Sequence, residues 1–345
     1  MHGGDIYSCK IKYDFSVNLN PCVQSEKIKN AVVNSSQVID TYPDYSCNEL
    51  YEKLSNVLGI ERDCIVLTSG ASEGIMAAVR AINPDTGVIF EPAFSGYERA
   101  LKSFEISNIC HISPQGEVSD GSEEYVAVHT NKSMFFIASP SNPEGIQFTK
   151  DELREIYDRV KASEGFLLLD ECFINLSDDS SQSMVEEIIK TPTYYDNLIV
   201  LRSFTKTFRV PGIRLGYIVC SNREINRKIL LSLPEWNISV PAIMTGIACI
   251  EEGIKYEADL VKRERKFVIN ELEQIGIKVC PSNSIYILFK GKPDLKEKLM
   301  SRGILIRDCS DYYGLSKGYF RVAIKSHNEN LILINEIKEI YNQHK

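Results

Sequence analysis

Between about residues 64 and 220, short apolar runs alternate with segments of helical period, and no other feature of this chain constrains its fold as strongly. Cys64–Leu67, Val88–Phe90, Phe135–Ala138, Phe166–Leu169, Leu198–Leu201 and Leu215–Val219 read as strands. Between them, Ser72–Ile82 places Ile75, Met76, Val79 and Ile82 on one helical face, and Asp151–Ala162 follows Thr149, a candidate N-cap. Strands that are apolar throughout, rather than alternately, are buried on both faces, and helices between them supply the cover. The expectation is an α/β fold built on a mostly parallel sheet. Such sheets bind ligands at the carboxyl ends of their strands. The polar clusters Thr68–Gly74, Ser139–Gly145, Asp170-Glu171 and Ser203–Lys206 all stand at such ends.

Beyond Trp236 the texture changes. A helical pattern over Lys255–Ile275 is followed by Tyr286–Phe289, a helix near Leu295–Arg302, strands at Ile304–Arg307 and Phe320–Ile324, and a closing helix over Leu331–Tyr341. This predicts three parts: an N-terminal arm (1–40), a large α/β domain (41–235) and a small α+β domain (236–345) on which the arm packs. The 345 residues suffice for two cores.

Charge and composition remove several function classes. The net charge is −8 and no lysine or arginine run occurs, which argues against a nucleic-acid partner. No stretch of 18 apolar residues appears, and the N-terminus has no signal-peptide pattern, so no membrane association is expected. The ten cysteines form no C-x-x-C pair and do not cluster with the five histidines. No metal and no disulfide framework are therefore expected, and the thiols read as reduced residues of a cytoplasmic protein.

The chemistry gathers around Lys206. In Ser203-Phe204-Thr205-Lys206 a lysine just past a buried strand, flanked by hydroxyls, can bond an aldehyde cofactor covalently, and Arg214 follows eight residues on, within reach of a phosphate. Upstream, Gly70, Ala71 and Ser72 open a helix whose N–H groups and dipole suit the same anion. A lone loop lysine or arginine is usually only a solvated charge. Together with Pro211-Gly212 and Leu215-Gly216, however, the segment strongly resembles the cofactor-lysine motif of class I/II aminotransferases, the fold-type-I enzymes of pyridoxal 5′-phosphate.

The resemblance runs through the chain in order and implies a role at each matching position. Lys206 would carry the cofactor, with Gly70, Ala71, Ser72, Ser203, Thr205 and Arg214 around its phosphate. Phe94 would stack on the pyridine ring, with Tyr97 in reserve. Asn142, in Ser141-Asn142-Pro143, would bond the phenolic oxygen, and Asp170 would pair with the pyridinium nitrogen and keep it protonated. Tyr42, in Tyr42-Pro43-Asp44, matches the tyrosine that reaches the neighbouring subunit's cofactor phosphate, which implies a homodimer with shared active sites. One position departs: three residues after the aspartate the family usually has tyrosine, and here stands Phe173, which cannot bond the phenolic oxygen.

Two branches of that family compete, threonine-phosphate decarboxylases and histidinol-phosphate aminotransferases. Both carry two late arginines. Arg321 matches the carboxylate-binding residue and Arg307 the one that meets a substrate phosphate, 14 residues earlier. His2-Gly3, with Asn18, resembles the decarboxylase opening that lines the substrate site together with Asn142, and Leu233-Pro234-Glu235-Trp236-Asn237 and Phe173 also sit more easily in that branch. The expectation is decarboxylation of L-threonine O-3-phosphate, a small phosphorylated amino acid. The alternative is an aminotransferase acting on histidinol phosphate or another amino acid. A non-catalytic effector module fused to a DNA-binding segment is disfavoured, because about 40 residues precede Tyr42 and Lys206 and Asp170 are both present.

Overall fold

The structure is a computed structural model and describes residues 3–7, 10–22, 25–112 and 132–342. In chain order it begins with β1 (Tyr13–Asp14), α1 (Glu26–Ser35), α2 (Asn48–Leu58), β2 (Ile65–Thr68), α3 (Ala71–Ile82), β3 (Thr86–Phe90), α4 (Gly96–Ser103) and β4 (Ile109–Ile112). Next come β5 (Ser133–Ala138), α5 (Lys150–Ala162), β6 (Phe166–Asp170), α6 (Val185–Lys190), β7 (Leu198–Ser203), α7 (Phe204–Thr207), β8 (Gly216–Val219), α8 (Arg223–Ser232) and α9 (Val240–Glu252). The chain closes with α10 (Ala258–Gln274), β9 (Lys278–Val279), β10 (Tyr286–Lys290), α11 (Leu295–Ser301), β11 (Ile304–Leu305), β12 (Arg307–Asp308), β13 (Tyr319–Ala323) and α12 (His327–Asn342).

Among the described residues, seven strands form one sheet in the order β2-β8-β7-β6-β5-β3-β4. All run parallel except β8, which is antiparallel to both neighbours. The connection from β7 to β8 holds only the four-residue α7, with no full crossover helix, so the chain doubles back beside β7. The continuous apolar runs divide by face. Leu168, Ile199, Leu201 and Ile218 enter one core, while Leu167, Leu169, Leu198, Val200 and Val219 enter the other. Successive side chains on a strand point to opposite faces, so both halves of each run find a helix layer to pack against.

Thr149 caps α5 as expected. Its side chain accepts from the Glu152 amide, and Glu152 reaches back to the amide of Thr149 in a capping box. The second sheet, β12-β13-β10-β9, is antiparallel, with α10 and α12 packed together beside it. The expected single strand Ile304–Arg307 is in fact two. Ile304 and Leu305 pair in parallel with Tyr13 and Asp14 of the arm, whereas Arg307 and Asp308 pair with β13. The backbone switches partners at the buried Ile306, and this switch carries the arm to the site. α9 lies against α1 and α2. No described helix is long and apolar enough to cross a membrane.

Candidate active site

Lys206 sits in α7, directly past the end of β7. Ser203 caps that turn, its Oγ accepting from the Thr205 amide at 3.1 Å. The arm pins the turn from outside. The Asn20 amide donates to the Lys206 carbonyl at 3.1 Å, and Asn20 Nδ2 bonds the Thr207 and Lys255 carbonyls, each at 2.8 Å. Burial, with the Arg321 charge as the next contribution, lowers the Lys206 ammonium to about 8. A lysine so placed has a larger neutral fraction near physiological pH than an ordinary lysine.

Beside Lys206 the cleft meets the turn into α3. Gly70 has φ +81° and closes the turn into α3; a Cβ there would stand 2.6 Å from Arg214 Nη2. Arg214 therefore overlies the N-terminus of α3. Gly216 permits the close approach of β8, since its Cβ would meet the Ala71 nitrogen at 3.1 Å. A helix N-terminus, a guanidinium and the hydroxyls of Ser72, Ser203 and Thr205 suit a phosphate. Ala71, Ser72, Ser203, Thr205, Lys206 and Arg214 all line the cleft; Gly70 lies beneath Arg214 and shapes it.

Asp170, at the end of β6, is held at both oxygens. Tyr97 donates its hydroxyl to Oδ2 at 2.7 Å and the Cys172 amide donates to Oδ1 at 2.9 Å. Burial, together with the Asp170 charge, holds the Tyr97 phenol well above its ordinary range, so Tyr97 remains a donor. Phe94 stands edge-on to Tyr97, with ring centroids 5.9 Å apart, and lines the cleft. Tyr97 thus takes a part that sequence reasoning missed, as an orienting group on the carboxylate rather than a reserve stacking ring. Phe173 also lines the cleft, packed edge-on against Tyr286 at 5.0 Å.

The opposite wall carries the arginines. Arg307 and Arg321 are register partners on the antiparallel strands β12 and β13, so their side chains leave the same face. Like charges directly opposite repel, and each fork has its own acceptor. Arg321 bonds Asn142 Oδ1 through Nη1 and the Ser16 carbonyl through Nη2 at 2.8 Å. The Asn18 amide, turned with its oxygen toward Arg321, accepts from Nε at 3.2 Å. Arg307 Nη2 contacts both oxygens of Asp311, at 2.8 and 2.9 Å. Gly3 closes the wall, with the Gly4 amide held by Ser16 Oγ at 2.8 Å.

The structure therefore brings Gly3, Asn18, Asn142, Arg307 and Arg321 to the cleft that contains Lys206. His2 lies outside the described residues. Tyr42 is not in this chain's cleft; it is 81% exposed and packs on Trp236, with centroids 4.9 Å apart. Asn237 serves a local purpose, donating to Glu73 Oε2 at 2.9 Å and the Leu67 carbonyl at 3.3 Å. Besides Tyr97, the sequence reading passed over Asn20, Tyr312 and Asp311. Asn20 stands only two residues beyond Asn18, whereas nothing local marks Asp311 as a partner of Arg307.

With that geometry in place, the chain can be set beside known proteins. The family model "Aminotransferase class I and II" matches residues 10–337. The chain is 33% identical to histidinol-phosphate aminotransferase 2 of Archaeoglobus fulgidus, over 95% of this chain and 92% of that one. It is 28% identical to the threonine-phosphate decarboxylase of Salmonella typhimurium, over 95% and 90%. The crystal structure of the histidinol-phosphate aminotransferase from Clostridium acetobutylicum superposes with a TM-score of 0.83 at 28% identity, covering 96% of this chain and 99% of that one.

Proposed function

The chain belongs to the class I and II aminotransferase family, whose cofactor is pyridoxal phosphate, and we propose that it decarboxylates a small phosphorylated amino acid, L-threonine O-3-phosphate. The observation that carries the reading is the presence of Gly3 and Asn18, from the decarboxylase-like opening, at the Lys206 cleft beside an arginine pair that both branches share. Two guanidinium forks on neighbouring strands, both at the Lys206 cleft, suit a substrate with two anionic groups. Threonine phosphate has a carboxylate for Arg321 and a phosphate for Arg307. Histidinol phosphate has only the phosphate. Phe173 in place of the family's usual tyrosine favours the same branch. Transamination of histidinol phosphate is the second reading, favoured by the relative at 33% identity.

Under this reading the large part (41–235) holds the cofactor, and the arm (1–40) and small part (236–345) hold the substrate. Gly70, Ala71, Ser72, Ser203, Thr205 and Arg214 would bind the cofactor phosphate, Phe94 would cover the ring, Asn142 would meet its phenolic oxygen and Asp170 its nitrogen. When bound, pyridoxal phosphate accepts the electron pair of the bond broken at the substrate α-carbon. Arg321 and Asn18 orient the carboxylate, and with it the bond to be broken. Lys206 would move the proton at the substrate α-carbon, delivering one after loss of carbon dioxide or removing one in transamination.

The test is to incubate the cofactor-loaded protein with threonine phosphate and no keto acid. Carbon dioxide and an equivalent of the corresponding amine are expected. Turnover that needs a keto acid and releases no carbon dioxide overturns decarboxylation.

We also read the protein as a homodimer in which Tyr42 reaches the partner's cofactor phosphate. Tyr42, Tyr45, Ile39 and Leu231 are large apolar side chains left exposed on this chain, more than scattered surface residues require. Tyr42→Phe is expected to weaken cofactor binding by about 1 kcal/mol in a protein that sediments as a dimer. A monomer with full activity excludes the arrangement.

A further inference from the structure

α7, which carries Lys206, is a single turn of four residues. A helix so short leaves its last carbonyls in need of donors from elsewhere. The arm supplies them through one residue. The Asn20 amide donates to the Lys206 carbonyl at 3.1 Å, and Asn20 Nδ2 donates to the Thr207 carbonyl at 2.8 Å. The same Nδ2 reaches the Lys255 carbonyl, in the connection between α9 and α10, at 2.8 Å, and Asn20 Oδ1 accepts from the Cys22 amide at 3.0 Å. Asn20 is 5% exposed, and its oxygen faces a donor while its nitrogen faces acceptors, so the amide has one orientation.

A few residues earlier the same arm is fastened to the small part. The Phe15 amide donates to the Leu305 carbonyl at 2.8 Å, and the Phe15 carbonyl accepts from the Ala323 amide at 2.9 Å. The Ser16 carbonyl and the Asn18 side chain then take the Arg321 fork. Only Leu19 stands between the residue bonded to Arg321 and the residue bonded to the Lys206 turn, a span of at most about 7 Å. The arm is thus a short tether between the two charged groups at opposite walls of the cleft.

We propose that Asn20 is a positioning residue for Lys206, holding the lysine turn at a fixed offset from Arg321 so that the amine keeps its place relative to a substrate carboxylate. The inference rests on the readings of Lys206 and Arg321 given above. Asn20 acts through backbone carbonyls and touches no reacting atom. A lysine stem is flexible along its four carbons, so precision at the amine has to begin with a fixed backbone. Asn20 provides it from the segment that also orients Arg321.

In the cofactor-loaded protein acting on L-threonine O-3-phosphate, Asn20→Ala is expected to lower kcat about a hundredfold, the scale of a misplacement of about 1 Å. KM should change less than about twofold, because the bonds to Arg321 remain; Asn18→Ala should chiefly raise KM instead. A second readout needs no substrate. Cofactor capture by the cofactor-free Asn20→Ala protein should have its pH midpoint raised from about 8 toward the usual lysine range, since a turn released from the arm admits water to the buried amine. Asn20→Gln, with the same donors on a longer stem, should fall between in both measurements. If Asn20→Ala does not fold, Asn20→Gln decides, because wild-type kcat and midpoint there would show that the turn is indifferent to where the amide stands. Wild-type kcat and midpoint in a folded Asn20→Ala overturn the proposal. So does a loss of stability to urea with the capture midpoint still near 8, which would mark the bonds as merely structural. If the wild type releases no carbon dioxide from threonine phosphate, the decarboxylase reading falls, and the capture midpoint still decides the role of Asn20.

Discussion

Lys206→Ala is expected to lose covalent attachment of pyridoxal phosphate and at least about a thousandfold in turnover, the loss of a positioned proton-transfer group alone being worth about 10²–10⁴. Under the proposed reading the residue would supply two things no neighbour can replace: an amine for the cofactor's aldehyde and a proton acceptor and donor at the substrate α-carbon. Borohydride treatment of the wild type should fix the cofactor to this lysine, and a modified peptide mapping elsewhere would refute the assignment. A pH dependence follows from its environment. Burial lowers the ammonium to about 8, and only the neutral amine attacks an aldehyde. Cofactor capture by the cofactor-free protein should therefore accelerate as pH rises through about 8 and level off above it, rather than continue to rise toward the usual lysine range near 10.5. The sign is that of a depressed lysine, with protonation at lower pH removing the reactive form. A capture rate still climbing above pH 10 would show that burial does not act as described.

Glu171→Ala should be the most destabilising substitution near the site, at about 3–5 kcal/mol, because it strands a buried charge. Glu171 and Arg202 are both buried, and Arg202 Nε donates to Glu171 Oε2 at 2.8 Å. Ser183 Oγ donates to the same oxygen at 2.8 Å and the Met184 amide to Oε1 at 2.7 Å. Glu171 directly follows Asp170 and Arg202 directly precedes Ser203, so the pair clamps together the strand ends that carry the two central site residues. The measurement is urea unfolding of the cofactor-loaded protein. Replacing both partners by apolar residues of similar volume, Glu171→Leu/Arg202→Met, should recover much of the loss, since neither charge is then left unpaired. A midpoint unchanged in Glu171→Ala would show that the clamp contributes nothing. If stability falls while the residual activity per folded molecule is normal, the clamp serves folding alone; the expected result is a fall in both.

Most of what lies around Lys206 was legible because it is local. Ser203 caps the turn that carries Lys206, Gly70 opens α3 where the chain needs a positive φ, and Asp170 ends an apolar strand; each is decided by a few neighbouring residues. The buried strands were legible for a similar reason, since a run such as Phe166–Leu169 has no solvent face and must be covered on both sides. Even so, the unbroken run could not tell that Leu168 faces one core while Leu167 and Leu169 face the other.

By itself the sequence determined the parallel α/β core, the place of Lys206 just past a buried strand, and the presence of two late arginines, because strand burial, turn chemistry and motif spacing act over short stretches. Only the tertiary structure decided what meets what. The reversal of β8, the splitting of Ile304–Arg307 between the arm and β13, the bond from Tyr97 to Asp170 across 73 residues and the pairing of Arg307 opposite Arg321 depend on strand register and packing. Those are settled by burying whole faces at once, and local propensity does not encode them. Asp311 shows the same limit at the smallest scale: four residues from Arg307 in sequence, it is a surface aspartate until the turn between β12 and β13 swings it onto the guanidinium.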